Sequence, residues 1–281
     1  MLGAIIGDIV GSRFEFIDDH MRDRDFPLFT PSCCATDDSF MTLAVANALL
    51  LSKGDPTVLE AQVIASMKRV AHRHPNTGWG ELFYRWLFLE GNPKPYNSFG
   101  NGAGMRISPV GWVADSEEEV RLLSGIVTGV SHNHPEGLKG AEAVAMAVYL
   151  ARIGRDKAEI RERMQGYYPQ LCDPHFTIRN IHGQYGYDDE GRWVTCQGSI
   201  PQALIAFLDS GSFEDALRNA VCIGGDSDTI GAMAGSIAEA YYGVPYELEE
   251  KALTYLTEDL LSIYYAFGTI RKKRTAQRSA P

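Results

Sequence analysis

The segment TIGAMAGSIAEAYYG, residues 229–243, places the tightest constraint on what this chain can fold into. Its runs of Ala and Gly suit a helix that approaches its neighbours closely in an interior. Helical spacing recurs along most of the remaining sequence. From Pro56 to about His72, Val58, Ala61, Ile64, Ala65 and Val70 line one face behind a proline in the first turn. Ser116 followed by Glu119 reads as a capping box, with Val120, Leu123, Val127 and Val130 on one face beyond it. Pro135 opens a helix that runs through GAEAVAMAVYLARIG and stops at Gly154. Leu248, Ala252, Leu256, Leu260, Ile263 and Phe267 form a long apolar stripe. The expected fold class is therefore all-α.

One stretch breaks the period. Residues 170–199 are rich in Tyr, His, Asp and Gly, and read as an irregular excursion with a short hairpin around Asp188–Gly191. Helical patterns flank it without linker-like composition, so residues 1–268 are expected to form one domain, followed by a basic, frayed tail over 269–281.

Charge and cysteines narrow the class. The 26 basic and 36 acidic residues leave a formal charge of −10, which argues against a chain that wraps nucleic acid. An anionic small ligand stays open, because a metal or a helix N-terminus supplies local positive potential. The five cysteines have no C-x-x-C spacing and fit neither a disulfide framework nor a structural zinc site. The opening MLGAIIGDIVG lacks a basic flank and carries Asp8, so it does not read as a signal peptide, and no apolar run is long enough to span a membrane. A reducing, cytoplasmic setting is expected.

Two acidic clusters each precede a strong helix. Thr36-Asp37-Asp38-Ser39 stands before FMTLAVANALLL, and Gly224-Gly225-Asp226-Ser227-Asp228-Thr229 before IGAMAGSIAEAYY. Taken singly, each is read first as helix capping. Together they hold more carboxylates than caps need. Two such N-termini converging would gather four carboxylates, whose mutual repulsion calls for a cation, and an all-oxygen donor set selects Mg²⁺ or Mn²⁺. The loop Ser98-Phe99-Gly100-Asn101-Gly102-Ala103-Gly104-Met105-Arg106 offers backbone amides at close range but is neither a Walker nor a dinucleotide fingerprint. His132 and His134, just before the helix opened by Pro135, suit phosphate binding better than metal ligation.

In this order, GAIIGDIVGSRFEF, TDDS, SFGNGAGMR, SHNHPEG and GGDSDTIGAMAGSIAEAYYG resemble the ADP-ribosylglycohydrolase family, of the dinitrogenase-reductase-activating glycohydrolase type. The resemblance implies a compact orthogonal helical bundle with two Mg²⁺ ions in a cleft and Mn²⁺ as a substitute. It also implies hydrolysis of the glycosidic bond between ADP-ribose and a protein side chain or small acceptor. By motif, Thr36, Asp37, Asp38, Asp226, Asp228 and Thr229 correspond to metal ligands. Glu15 corresponds to a glutamate that reaches the metal site. Ser98, Phe99, Gly100, Asn101 and Gly102 correspond to the loop that holds the diphosphate and the ribose or adenine, and His132 to the histidine on the phosphate side. Glu15, Asp37 and Asp226 are the candidates for general base. Ser98, where some arginine-directed relatives carry Asp, and Glu15 together tilt the expectation toward serine- or O-acyl-linked ADP-ribose. The rivals are a non-catalytic ADP-ribose binder and a metal-dependent nucleotide phosphoesterase; nothing in the pattern sets an oligomeric state.

Overall fold

Helix α1 (Leu2–Ser12) and helix α13 (Ser227–Tyr242) build the centre of the molecule by backbone contact. A Cβ added at Gly3 would lie 2.0 Å from the Gly235 carbonyl oxygen, and one at Gly7 would lie 1.9 Å from that of Gly231. One at Gly11 would meet the Asp228 Cα at 2.4 Å. Glycines at i, i+4 and i+8 share one face of α1, and their partners run down α13 in the reverse order, so the two helices are antiparallel. Only glycine permits this approach, and it brings Asp8 of α1 beside the N-terminus of α13. Helix α13 is buried from Ser227 to Ala240, as a helix apolar on all sides must be.

The computed structural model describes residues 1–15, 23–181 and 192–278, and side chains over these ranges except at 192 and 271–278. In chain order, the helices between the central pair are α2 (Asp37–Ser52), α3 (Pro56–Arg73), α4 (Glu81–Tyr84), α5 (Gly102–Met105), α6 (Ser108–Val113) and α7 (Glu117–Gly129). They continue with α8 (Pro135–Arg152), α9 (Lys157–Gln165), α10 (Ile178–Ile181), α11 (Cys196–Leu208) and α12 (Phe213–Ile223). Beyond α13 lie α14 (Tyr246–Leu253) and α15 (Glu258–Arg278). No strand occurs among the described residues; an isolated antiparallel bridge joins Gly100 and Thr195. The fold is all-α. No described helix is long and apolar enough to cross a membrane.

Local chemistry explains most boundaries. The proline-led helix spans Pro56–Arg73, with the Asp55 carboxylate accepting the Thr57 amide at 2.9 Å as its cap. Ser116 caps α7 through the Glu119 amide, but the Glu119 carboxylate accepts from Asp115 N rather than Ser116 N, so the expected box closes one residue early. The apolar stripe from Leu248 to Phe267 is carried by two helices, because the chain turns at Thr254–Thr257 and the Thr257 hydroxyl bonds Asp259 at the start of α15. The 170–199 stretch is less irregular than its composition suggests. It contains 3-10 turns at Pro169–Cys172 and Arg192–Val194, α10, and the start of α11, whose N-cap Thr195 accepts from Gly198 N. The hairpin expected near Asp188–Gly191 lies outside the described residues. Helix α15 runs to Arg278, so much of the basic stretch expected to fray is helical in the backbone.

Candidate functional site

The N-terminus of α2 is held by a side chain from another helix. Thr36 occupies the N-cap position but makes no side-chain cap bond. Its hydroxyl instead donates to Asp8 Oδ1 at 2.6 Å. The other Asp8 oxygen accepts from Thr36 N at 3.0 Å, from Ser39 N at 3.1 Å and from the Ser39 hydroxyl. A carboxylate of α1 thus does the work of a capping box and frees Asp37 and Asp38 from it. The simple capping reading of TDDS is replaced by this arrangement.

At the second cluster, Gly224 and Gly225 take φ of +91° and +69° and turn the chain sharply into α13. Asp226 at the N-cap again makes no cap bond, and accepts Asn101 Nδ2 at 2.7 Å. The Thr229 hydroxyl reaches Asp38 Oδ2 at 3.3 Å, linking the two helix starts. Two carboxylate trios result: Asp8 with Asp38 and Asp228, and Glu15 with Asp226 and Asp228. In each, one oxygen per residue lies within 4.8 Å of the others.

Such crowding in a buried place disfavours ionisation. Burial, then neighbouring carboxylates, pushes Asp37, Asp38 and Asp228 well above the ordinary aspartate range. Burial raises Asp8 to about 6 against four hydrogen bonds that lower it. Burial and the Asp226 charge raise Glu15 to about 7. Asp38 Oδ1 is buried without a hydrogen-bond partner. An orphaned buried oxygen within an all-oxygen, mutually repelling set fits a hard divalent cation.

Beside this cluster lies a cavity of about 460 Å³. Glu15, Asp37, Asp38, Asp226, Asp228 and Thr229 line its acidic side. Ser98, Asn101, Gly102, Arg106 and His132 line the remainder, with the rings of Phe83, Tyr96 and Trp193. The loop is pinned from the irregular segment: Asn101 N donates to Val194 O at 2.9 Å and Cys196 N to Phe99 O at 2.9 Å. Three expected residues are not in the lining. The Thr36 hydroxyl is taken up by Asp8, 3.5 Å from oxygens of Asp38 and Asp228, and Gly100 is held in the bridge to Thr195. Phe99 is 41% exposed, its ring 5.1 Å from that of His134. Its neighbours in sequence are fixed by backbone bonds that point it outward. His134 caps α8 by accepting Glu136 N at 3.1 Å.

Sequence reasoning passed over Asp8, Phe83, Tyr96 and Trp193 as site residues, and took Arg106 only as the end of the glycine-rich loop. A lone aspartate inside GAIIGDIVG carried a usable signal, since a charge in an apolar helix demands a partner. The aromatic residues carried none, because they converge from α4, the loop before α5 and the 3-10 turn at Arg192–Val194. A larger hollow of about 800 Å³ near Thr177–Arg179 is a weaker candidate. Its Asp209 is already committed to Ile178 N and Arg161.

A sequence profile described as ADP-ribosylglycohydrolase matches residues 1–271. The chain belongs to the ADP-ribosylglycohydrolase family. As a member it is an ADP-ribosyl hydrolase. The chain is 25% identical to "ADP-ribosylhydrolase ARH3" of Bos taurus, an alignment covering 93% of this chain and 90% of that protein. It is 26% identical to "ADP-ribosylarginine hydrolase Tri1" of Pseudomonas putida (strain GB-1), over 89% and 72%. Among solved structures, an "ADP-ribosylglycohydrolase-related protein complex" superposes with a TM-score of 0.66 at 24% identity, covering 96% of this chain and 97% of that one. That likeness extends the all-α bundle of this glycohydrolase to a solved member of the same fold.

Proposed function

We propose that this glycohydrolase is Mg²⁺-dependent and cleaves the bond between the anomeric carbon of ADP-ribose and an acceptor, with serine- or O-acyl-linked substrates preferred over arginine-linked ones. The observation that carries the reading is the pairing of two carboxylate trios through Asp228 on one side of a cavity of about 460 Å³. A hollow of that size suits a dinucleotide-like ligand. Asp8, Asp38 and Asp228 would hold one cation and Glu15, Asp226 and Asp228 a second, with Thr36 and Thr229 hydroxyls in reserve. Such ions, when bound, orient ribose hydroxyls and polarise water.

The chain's own groups supply the rest. Asp37 lines the cavity but belongs to neither trio, which supports it over Glu15 and Asp226 as general base. It would take a proton from the attacking water as the water oxygen bonds the anomeric carbon and the bond to the acceptor breaks. The acceptor leaves with that bond's electron pair and receives the proton Asp37 has taken up. The carboxylates also stabilise the positive charge that develops on the sugar. Asn101, Gly102 and His132 would hold the diphosphate, and the rings of Tyr96 and Trp193 offer faces for adenine or ribose. Ser98 in the lining, with its hydroxyl accepting Gly100 N at 3.1 Å, supports a neutral rather than cationic acceptor pocket. One relative's name specifies arginine and the other's specifies no linkage, so the preference rests on Ser98 and Glu15.

Release of free ADP-ribose from serine-, arginine- and O-acetyl-linked substrates, measured with Mg²⁺ and with EDTA, tests this directly. Release that requires Mg²⁺ and is fastest from the serine or O-acetyl linkage is expected. Asp228→Asn should abolish release while circular dichroism stays helical. Undiminished turnover in that variant would remove the metal assignment.

A further inference from the structure

Arg106 is 1% exposed and makes no direct ion pair among the described residues, with the Asp37 charge acting on it only without contact. A buried guanidinium without a carboxylate is costly, and six carboxylate residues line the same cavity. The fold nevertheless turns Arg106 away from them. Its Nη2 donates to Ser131 Oγ at 2.6 Å and to His132 Nδ1 at 3.2 Å. Its Nε is buried without a partner, and its head lies 5.2 Å from the centre of the Phe83 ring.

An arginine has no lone pair to offer, so the His132 nitrogen that faces it must be the acceptor. The proton of a neutral His132 is then on Nε2. Ser131 Oγ, 2.8 Å from the same Nδ1, fits the same state: it accepts from Arg106 and donates to the ring. Burial and the Arg106 charge both hold His132 well below its ordinary pKa, so it is neutral at physiological pH. Nε2 overlooks the loop where side chains are missing. A Cβ at Gly102 would lie 3.3 Å from it and one at Gly100 3.7 Å. Those two glycines leave open the space into which Nε2–H points.

We propose that Arg106 is a positioning residue that locks His132 as an Nε2–H donor over the Gly100–Gly102 turn, and that its uncompensated charge makes this end of the cavity the seat of an anionic ligand group. The cavity is thereby bipolar, with carboxylates that demand cations at one end and a buried cation that demands an anion at the other. Taking that anion to be the diphosphate of ADP-ribose rests on the function proposed above. The orientation of His132 does not.

The test uses the full chain. Side-chain ¹⁵N spectra of the ligand-free protein report the His132 tautomer, and calorimetry with ADP-ribose and with ADP as probes reports the anion end. Wild-type protein should show the Nε2–H form. Arg106→Gln should relax that preference and weaken both probes by roughly ten- to a hundredfold, as the loss of a charged hydrogen-bonding group does. Arg106→Lys, which keeps the charge but not the fork, should retain part of the affinity and lose the tautomer lock. Circular dichroism and unfolding curves identify any variant that fails to fold; the wild-type spectrum needs no variant. An Nδ1–H tautomer in the wild type, or unchanged tautomer and affinity in a folded Arg106→Gln protein, overturns the proposal. Wild-type protein that binds neither probe, yet loses its Nε2–H preference in Arg106→Gln, upholds the positioning role and overturns the diphosphate reading.

Discussion

Replacing Asp8 by alanine removes the side chain that holds the first turn of α2. Asp8 is fully buried and accepts from Thr36 N, Thr36 Oγ1, Ser39 N and the Ser39 hydroxyl. Thr36 and Ser39 are the N-cap and third residues of α2, the two whose amides a capping box satisfies. Alanine strands them. Each buried donor left without an acceptor costs about 1–3 kcal/mol. Ser39 is wholly buried and Thr36 only half-buried, so Ser39 carries most of the loss, for a gross cost of about 3–5 kcal/mol. Relief of repulsion with Asp38 and Asp228 offsets part of this, leaving about 3 kcal/mol. At about 2–4 °C per kcal/mol for a chain of this size, the midpoint should fall by roughly 6–12 °C. Asp8→Asn differs in kind. Its amide oxygen can keep the two backbone donors while its NH₂ meets the Thr36 hydroxyl, so it should cost only about 1 kcal/mol. Urea unfolding and calorimetry in EDTA measure both. An Asp8→Ala protein within about 1 kcal/mol of wild type, or an Asn variant as damaged as Ala, would refute the capping argument.

Gly7→Ala should destabilise by about 1–3 kcal/mol or more, since its Cβ would lie 1.9 Å from the Gly231 carbonyl and neither helix backbone can yield locally; Ala at Gly125, where a Cβ meets nothing within 4 Å, is the control that should not. In EDTA, stability should fall as pH rises. Asp8 with a pKa near 6 folded against 3.8 unfolded contributes on the order of 3 kcal/mol below pH 4, lost as pH climbs through about 6. Glu15, Asp37, Asp38 and Asp228 act in the same direction, and saturating Mg²⁺ should abolish the decline in thermal midpoints between pH 5 and 8; a profile that rises with pH in EDTA would contradict these shifts. Phe99→Ala should change the Kd for ADP-ribose by less than about twofold, because the ring is outside the lining, whereas Trp193→Ala should weaken it about tenfold by removing a stacking face. Calorimetric titration of the two variants decides between them.

Local signals in the sequence determined the helices and the chemistry of their ends. The proline and Asp55 before α3, the 3.6-residue spacing of α7 and the surplus of carboxylates at Thr36–Asp38 and Asp226–Thr229 all act within a few residues, so they are legible without a fold. The ordered motifs from GAIIGDIVG to GGDSDTIG were enough to suggest the family. Tertiary structure decided how those ends meet. Gly3, Gly7 and Gly11 let α1 touch α13, which carries Asp8 across to α2 and into the carboxylate cluster, a pairing set by distant backbone contact. It turned Phe99 outward and brought Trp193 inward, because the loop is held by Val194 and Cys196 from the segment whose composition read as irregular. It also chose the partners of Arg106, where several carboxylates were available and Ser131 and His132 were taken instead. Periodicity and caps depend on neighbours along the chain; which oxygen faces which donor depends on how whole helices pack, and that is fixed only when the core closes.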